Sequence, residues 1–162
     1  MRPCEPWVNR QSYVESREPA TDVVAGIPGF DDEQRRVLAA SLGSLRVIDV
    51  YVPNGQTVGS DKFAYKLRWF DALREYVAAE LARHPHLVVL GDFNCEWSER
   101  RRCLALLRKE LGLRAAEATG HATFPSWRPL VRLDWILVSE ELDFAAYETL
   151  PDRLSDHLAV VA

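Results

Sequence analysis

Two polar side chains follow a short apolar run in the middle of the chain. Residues 87–90 are apolar and half β-branched, which predicts a buried strand that ends at Gly91. Asp92 and Asn94 come next, and alternation along an extended chain places both on the same side. A carboxylate and a carboxamide there suit a hard divalent cation and an oriented water. An ordinary turn is the alternative, because Gly, Asp and Asn all tolerate turn geometry.

Other polar groups stand at the edges of apolar runs. Asp134 lies inside one run, Asp156 and His157 precede another, and Tyr51 ends a third. A carboxylate in an apolar strand is costly to bury unless a cation or a hydrogen bond compensates its charge. The alternative for Asp134 is a structural carboxylate, and the alternative for Asp156 and His157 is a turn with a surface histidine. The functional interpretation is favoured because the ligand-binding and active sites of α/β proteins commonly lie at strand ends.

Together these residue types match what water attack on a phosphodiester requires when a hard cation assists it. Asp92 would position or deprotonate the water, and Asp134 would hold His157 in one tautomer. His157 would stabilise or protonate a phosphoryl oxygen. The predicted catalytic residues are Tyr51, Asp92, Asn94, Asp134 and His157. The predicted cation ligands are Asp92, Asn94, Asp156 and His157.

The elements around these residues predict a layered α/β fold. Residues 36–42 and 45–52 read as a hairpin, and 21–25 as a further short strand. Ser60 is placed to cap a helix over 61–83, which leads directly into the strand before Asp92. The inward stripe of this helix is predicted to comprise Phe63, Leu67, Phe70, Leu73, Val77 and Leu81.

The second half of the chain predicts a helix, a loop and closing strands. The helix is expected over 98–111, with Gly112 ending it, and the loop over 119–132. The closing strands are expected at 133–139, 144–150 and 157–161. Basic and aromatic side chains outside the predicted core are candidates for contacting DNA or phosphate, with a solvated face as the alternative. These candidates are Lys62, Lys66, Arg100, Arg101 and Trp127.

Bulk composition is that of a single globular domain. The 162 residues are 48% hydrophobic and 27% charged, and the net charge of −4 argues against a generally basic surface. Residues 1–15 are predicted to be a loose or remnant arm, and 16–162 the domain. Three cysteines without metal-ligand spacing favour reduced thiols and a cytoplasmic location. Because apolar runs are short, no membrane association is predicted.

Several segments resemble the exonuclease–endonuclease–phosphatase superfamily. Residues 26–32, 51–56 and 59–69 are similar to its exodeoxyribonuclease III branch, 90–94 to its central motif, and 132–134 and 155–157 to its last two motifs. The resemblance implies a partial four-layer sandwich of two mostly antiparallel β-sheets flanked by helices. It also implies Mg²⁺ or Mn²⁺ as cofactor. The implied activity is cleavage of duplex DNA at abasic sites and from 3′ ends, in DNA repair.

The chain departs from that pattern in its first part and again at residues 123–129, and each departure leads to a further expectation. The family opens with a strand bearing an asparagine and then a Gln-Glu pair whose glutamate binds the metal, and neither is recognised here. The chain is therefore expected to lack roughly the family's first third, with marginal stability or self-association through exposed sheet edges. One alternative is a catalytically impaired fragment that only binds DNA or phosphate. Another is a hydrolase of a non-DNA phosphoester, because 123–129 is similar to compact hydrolases elsewhere in the superfamily.

Overall fold

A computed structural model describes residues 17–95, 102–116 and 121–162. The predicted arm over 1–15 lies outside these ranges. The strands within them are β1 (Ala20–Ala25), β2 (Val37–Leu42), β3 (Leu45–Tyr51), β4 (Leu87–Asp92), β5 (Arg114–Ala115), β6 (Asp134–Val138), β7 (Glu148–Thr149) and β8 (Val160–Val161). The helices are α1 (Asp61–Leu81) and α2 (Arg102–Leu111).

The strands form a large sheet and a small one. Six strands pair in the order β1-β2-β3-β4-β6-β5, and β7 pairs with β8. β3 and β4 are parallel, and the other pairs are antiparallel. Parallel neighbours need a long connection, which α1 supplies between β3 and β4. This arrangement confirms the predicted α/β class with two mostly antiparallel sheets. Neither described helix combines the length and apolarity that a membrane span requires.

The two faces of the large sheet have different roles. One face packs on the helices, and its centre is the fully buried register row Ile48, Val89 and Leu137. The opposite face carries a second row across the same three strands, formed by Tyr51, Asp92 and Asp134. The helical residues of the core include Trp69, Phe70, Leu73, Val77, Leu104 and Leu107. The core therefore fixes the sheet from one side and leaves the polar row on the other.

Helix α1 begins as predicted, but its buried face is rotated. The side chain of Ser60 accepts a hydrogen bond from the third residue of the helix, which confirms the cap. Leu67 is 39% exposed, whereas Lys66 and Glu80 are buried. The prediction that Lys66 lies off the buried face is therefore wrong. Burial of Glu80 is compensated because Arg46 Nε donates to its carboxylate at 2.5 Å.

Strand β4 continues through Asp92, one residue beyond Gly91, where the sequence predicted its end. Gly91 adopts φ +127°, and a Cβ there would lie 2.1 Å from the carbonyl oxygen of Val50. The glycine therefore does not end the strand. It allows close approach to β3, so pairing continues through Asp92.

The C-terminal strands are shorter than predicted. The segments 144–150 and 157–161 contain only β7 and β8, of two residues each, and β5 was not predicted. The reason is that the backbone before β8 bonds to a loop rather than to a strand. Ser126 N donates to the carbonyl of Asp156, and Leu158 N donates to that of Thr123. Gly112 follows α2 as predicted, and the predicted start at 98 lies outside the described residues.

Candidate active site

The carboxylate of Asp92 is buried at the C-terminal end of β4. The backbone amide of Asn94 donates to its Oδ1 at 2.7 Å, and Asn94 Nδ2 donates to its Oδ2 at 3.0 Å. Asn94 has φ +48°, so the chain turns back at once instead of continuing as an extended strand. The two residues therefore meet through a turn, and the predicted alternation is not the reason for their proximity.

Asp134 and His157 form a hydrogen-bonded pair beside this carboxylate. Asp134 is the cross-strand partner of Asp92, and its Oδ2 lies 2.8 Å from Nδ1 of His157. The ring of Phe124 packs against the imidazole, with 4.9 Å between the ring centroids. Because Nδ1 is engaged by Asp134, Nε2 is the nitrogen that can act on a ligand. The fold thus joins two predicted residues that are 23 positions apart.

Tyr51 ends β3 next to the same carboxylate. Its register partner on β4 is Asp92, so the two residues lie on the same face of the sheet. The tyrosine side chain is partly exposed. Tyr51 is therefore placed at the edge of the site, where its predicted contact with a phosphate stays a prediction.

The titratable groups of the site perturb one another. Burial raises the pKa of Asp92 to about 6, and the negative charge of Asp134 adds to this, while the Asn94 amide opposes it. The hydrogen bond that His157 donates to Asp134 raises the pKa of His157 against the opposing effect of burial. The site therefore holds a buried acid and an imidazole that both bind a proton more readily than usual.

The side chain of Lys66 extends from helix α1 to the turn that follows β4. Its Nζ donates to the backbone carbonyl of Asn94 at 2.8 Å, and its positive charge lowers the pKa of Asp92. Asn94 Nδ2 also donates to the carbonyl of Val52 at 2.9 Å. Lys66 thus supports the turn after β4, and its predicted contact with DNA or phosphate stays a prediction.

Three side chains are close enough to share a cation. One oxygen each of Asp92 and Asp134 and one ring nitrogen of His157 lie within 4.8 Å of one another. The two carboxylates of this group fit Mg²⁺ or Mn²⁺, since both ions favour carboxylate oxygens, and the predicted role of His157 as a ligand stays a prediction. Asp156 lies outside this group; its exposed carboxylate accepts a hydrogen bond from Ser155 Oγ at 3.2 Å. Its role as a ligand, like that of Asn94, stays a prediction.

The remaining predicted residues lie around the site or beyond the described ranges. Lys62 is exposed in the first turn of α1. Trp127 is 63% exposed, and its ring contacts that of Phe124 at a centroid distance of 6.5 Å. Arg100 and Arg101 lie outside the described residues. The contacts of all four with DNA stay predictions.

Two hydroxyl residues next to the site were not predicted from the sequence. Thr123 and Ser126 are buried, and both form hydrogen bonds to backbone groups next to Asp134 and His157. The sequence indicated these two residues only by their position on either side of a Phe-Pro pair, in a loop without a helix or strand. Hydroxyls in such loops commonly bond to backbone, but the sequence does not say to which segment.

Asp134 and His157 also border a cavity of about 430 Å³. The other lining residues are Leu90, Gly91, Trp135, Ile136, Asp152, Leu154, Ser155, Leu158, Ala159, Val160 and Val161. The pair is therefore next to open volume and not sealed inside the core.

Comparison with known proteins identifies the family. The sequence model described as the Endonuclease/Exonuclease/phosphatase family matches residues 14–157. The chain belongs to this family. Membership in the Endonuclease/Exonuclease/phosphatase family confirms the resemblance noted in the sequence, and it makes the chain a phosphoesterase of the nuclease superfamily.

Solved structures of this family agree with the fold. The chain is 32% identical to the 3′ phosphatase NExo from Neisseria bound to a product DNA hairpin, with a TM-score of 0.80. It is 35% identical to the 3′-5′ exonuclease NExo from Neisseria meningitidis, with a TM-score of 0.77. Each match covers 90% of this chain and 71% of the other. An AP endonuclease from Archaeoglobus fulgidus shares the fold at 23% identity and a TM-score of 0.76, over 88% of this chain and 70% of that one.

Proposed function

We propose that this chain hydrolyses phosphoester bonds of duplex DNA, at abasic sites and at 3′ ends, with the help of a divalent cation. The hydrogen bond of 2.8 Å between His157 and Asp134, beside the buried carboxylate of Asp92, is the observation that carries the proposal. Identities of 32% and 35% to Neisseria proteins described as a 3′ phosphatase and a 3′-5′ exonuclease support DNA 3′ ends as substrate. A role in DNA repair follows from that substrate.

The side chains would share the work of hydrolysis. Asp92 orients the attacking water and accepts its proton, while two hydrogen bonds from Asn94 hold the carboxylate in place. His157 donates from Nε2 to a phosphoryl oxygen and stabilises its developing charge. Asp134 fixes the tautomer and orientation of that imidazole. Tyr51 donates a hydrogen bond to the phosphate from the neighbouring strand.

The carboxylates of Asp92 and Asp134 would hold Mg²⁺ or Mn²⁺, which when bound polarises a phosphoryl oxygen. The polar row on the sheet would then face the scissile phosphate. Lys62 and Trp127, both exposed, would contact the flanking DNA by charge attraction and by stacking on a base.

The test is cleavage of three labelled DNAs: a duplex with one abasic site, a duplex with a 3′ phosphate, and a recessed 3′ end. Each is incubated with Mg²⁺, with Mn²⁺ and with chelator, using the wild type, His157→Ala and His84→Ala. His84 lies before the start of β4, at the opposite end of that strand from Asp92, so its variant is a matched control. We expect cation-dependent cleavage that His157→Ala slows by about a hundredfold or more and His84→Ala leaves unchanged.

A DNA-binding measurement and a small phosphodiester substrate distinguish the two ways in which the proposal can fail. Salt-dependent binding of DNA by folded protein, without cleavage under either cation, would replace the proposal by the binding fragment. Turnover of a small phosphodiester but of none of the three DNAs would replace it by a hydrolase of another substrate.

A further inference from the structure

The loop residue Thr123 forms hydrogen bonds with the backbone beside Asp134 and with the backbone beside His157. Its Oγ1 accepts a hydrogen bond from the backbone amide of Leu133 at 3.1 Å and lies 3.4 Å from that of Asp134. Its carbonyl oxygen accepts from the amide of Leu158, which follows His157, at 2.8 Å. The residue is fully buried, so these groups have no bulk water as an alternative partner.

Ser126 adds a second set of bonds to the histidine side of the pair. Its amide donates to the carbonyl of Asp156 at 2.7 Å, and its Oγ donates to the carbonyl of Ser155 at 2.6 Å. The amide of His157 in turn donates to Ser155 Oγ at 3.0 Å. Residues 123–126, which we call the clasp, therefore hold the backbone on both sides of the site.

Strand pairing does not set the distance between the two partners. Asp134 begins β6 in the large sheet, whereas His157 precedes β8, which pairs with β7 in the separate small sheet. Among the described residues, the two sheets share no ladder. Within the described ranges, the hydrogen bonds of the clasp connect the backbone beside Asp134 to the backbone beside His157.

We propose that the clasp sets the Asp134–His157 hydrogen bond, with Thr123 as its main positioning residue. The hydroxyl of Thr123 fixes where the Asp134 backbone lies, and its carbonyl fixes the backbone that follows His157. The catalytic consequence rests on the proposed function, because a misplaced imidazole lowers the rate of the chemical step more than it weakens substrate binding.

The kinetic test compares Thr123→Val with Thr123→Ser. Valine keeps the shape but removes the hydroxyl, and serine restores the hydroxyl without the methyl group. We expect Thr123→Val to lower kcat by about tenfold or more with KM changed by less than about twofold, and Thr123→Ser to recover to within about threefold of wild type. In an Asp134→Ala background the valine substitution should cause no further loss, because both changes act through the same imidazole.

A second readout is independent of turnover. The proton on Nδ1 of His157 is expected to give a low-field ¹H NMR resonance in the wild type and in Thr123→Ser, and to weaken or shift upfield in Thr123→Val. If the wild type cleaves no DNA, the proposed function fails, while this resonance still decides whether the clasp positions the pair.

Several outcomes would overturn the inference. An unchanged resonance in folded Thr123→Val would do so, as would a loss of kcat that persists undiminished in the Asp134→Ala background. If Thr123→Val does not fold, Ser126→Ala takes its place, because it removes the other hydroxyl of the clasp. A resonance and a kcat equal to those of wild type in Ser126→Ala would then reject the role of the clasp.

Discussion

Asp92 and Asp134 are direct cross-strand partners at one end of the large sheet. Like charges opposite each other destabilise an antiparallel pair, and burial of Asp92 adds a desolvation cost. Together with His157, the two carboxylates offer ligand atoms within 4.8 Å of one another. A divalent cation would reduce the repulsion, which connects binding of the ion to the stability of the fold.

We therefore expect Mg²⁺ or Mn²⁺ to raise the melting temperature of the protein. At a concentration of about a hundred times Kd, the stabilisation is about 2.7 kcal/mol. Thermal unfolding with cation and with chelator measures it. Asp92→Asn should reduce the shift, because one anionic ligand is lost, and an identical melting temperature in all conditions would argue against a cation at this site.

The stability of the metal-free protein should fall as pH rises through the titration of Asp92. Burial raises the pKa of this carboxyl to about 6, so between about pH 4 and pH 6 the folded protein holds a proton that the unfolded chain has released. The contribution is at most about 3 kcal/mol. Asp92→Asn removes this contribution. In denaturant unfolding with chelator, the free energy of unfolding of the variant should therefore rise relative to that of the wild type from pH 4 to pH 6. A constant difference between the two proteins across this range would contradict the prediction.

Gly91 should be much less replaceable than another glycine with positive φ. A Cβ at Gly91 would lie 2.1 Å from the carbonyl oxygen of Val50, whereas one at Gly112 meets nothing within 4 Å. We expect Gly91→Ala to lower the free energy of unfolding by about 3 kcal/mol or more, and Gly112→Ala by about 1 kcal/mol. Chemical denaturation of both variants measures the difference, and equal losses would show that the backbones of β3 and β4 can separate without cost.

Lys66 should contribute to activity in a way that a neighbouring lysine does not. Its ammonium donates to the carbonyl of Asn94, and its charge partly opposes the rise that burial causes in the pKa of Asp92, while Lys62 is exposed in the same helix. We expect Lys66→Met to reduce kcat by about tenfold and Lys62→Met mainly to raise KM in a salt-dependent way. Steady-state kinetics at two ionic strengths separates the two effects, and the reverse pattern would exchange the two roles.

What the sequence predicted well depended on local patterns. The cap at Ser60 and the hairpin of β2 and β3 follow from turn and capping residues a few positions apart. The contact between Asp134 and His157 was predicted from the chemistry of these residue types at the ends of apolar runs, and the two side chains lie 2.8 Å apart. Each of these residues was recognised from its immediate neighbours in the sequence.

What the sequence did not predict depended on distant partners. Lys66 is buried, and Leu67 is exposed, because the lysine finds a carbonyl 28 positions away. The last two strands are short because residues 155–158 bond to the loop that contains Thr123. Hydropathy patterns carry no information on such bonds, so the rotation of α1 and the clasp required the structure.

The separation of the two sheets has a consequence for how often the site is intact. β4 has hydrogen-bonded neighbours on both sides, so its amide hydrogens should be among the slowest to exchange with solvent, whereas β8 is two residues long with one neighbour. A local opening of the C-terminal segment would carry the imidazole of His157 away while the large sheet stays folded. The exchange protection of residues 155–161 would therefore report the fraction of molecules in which the site is intact.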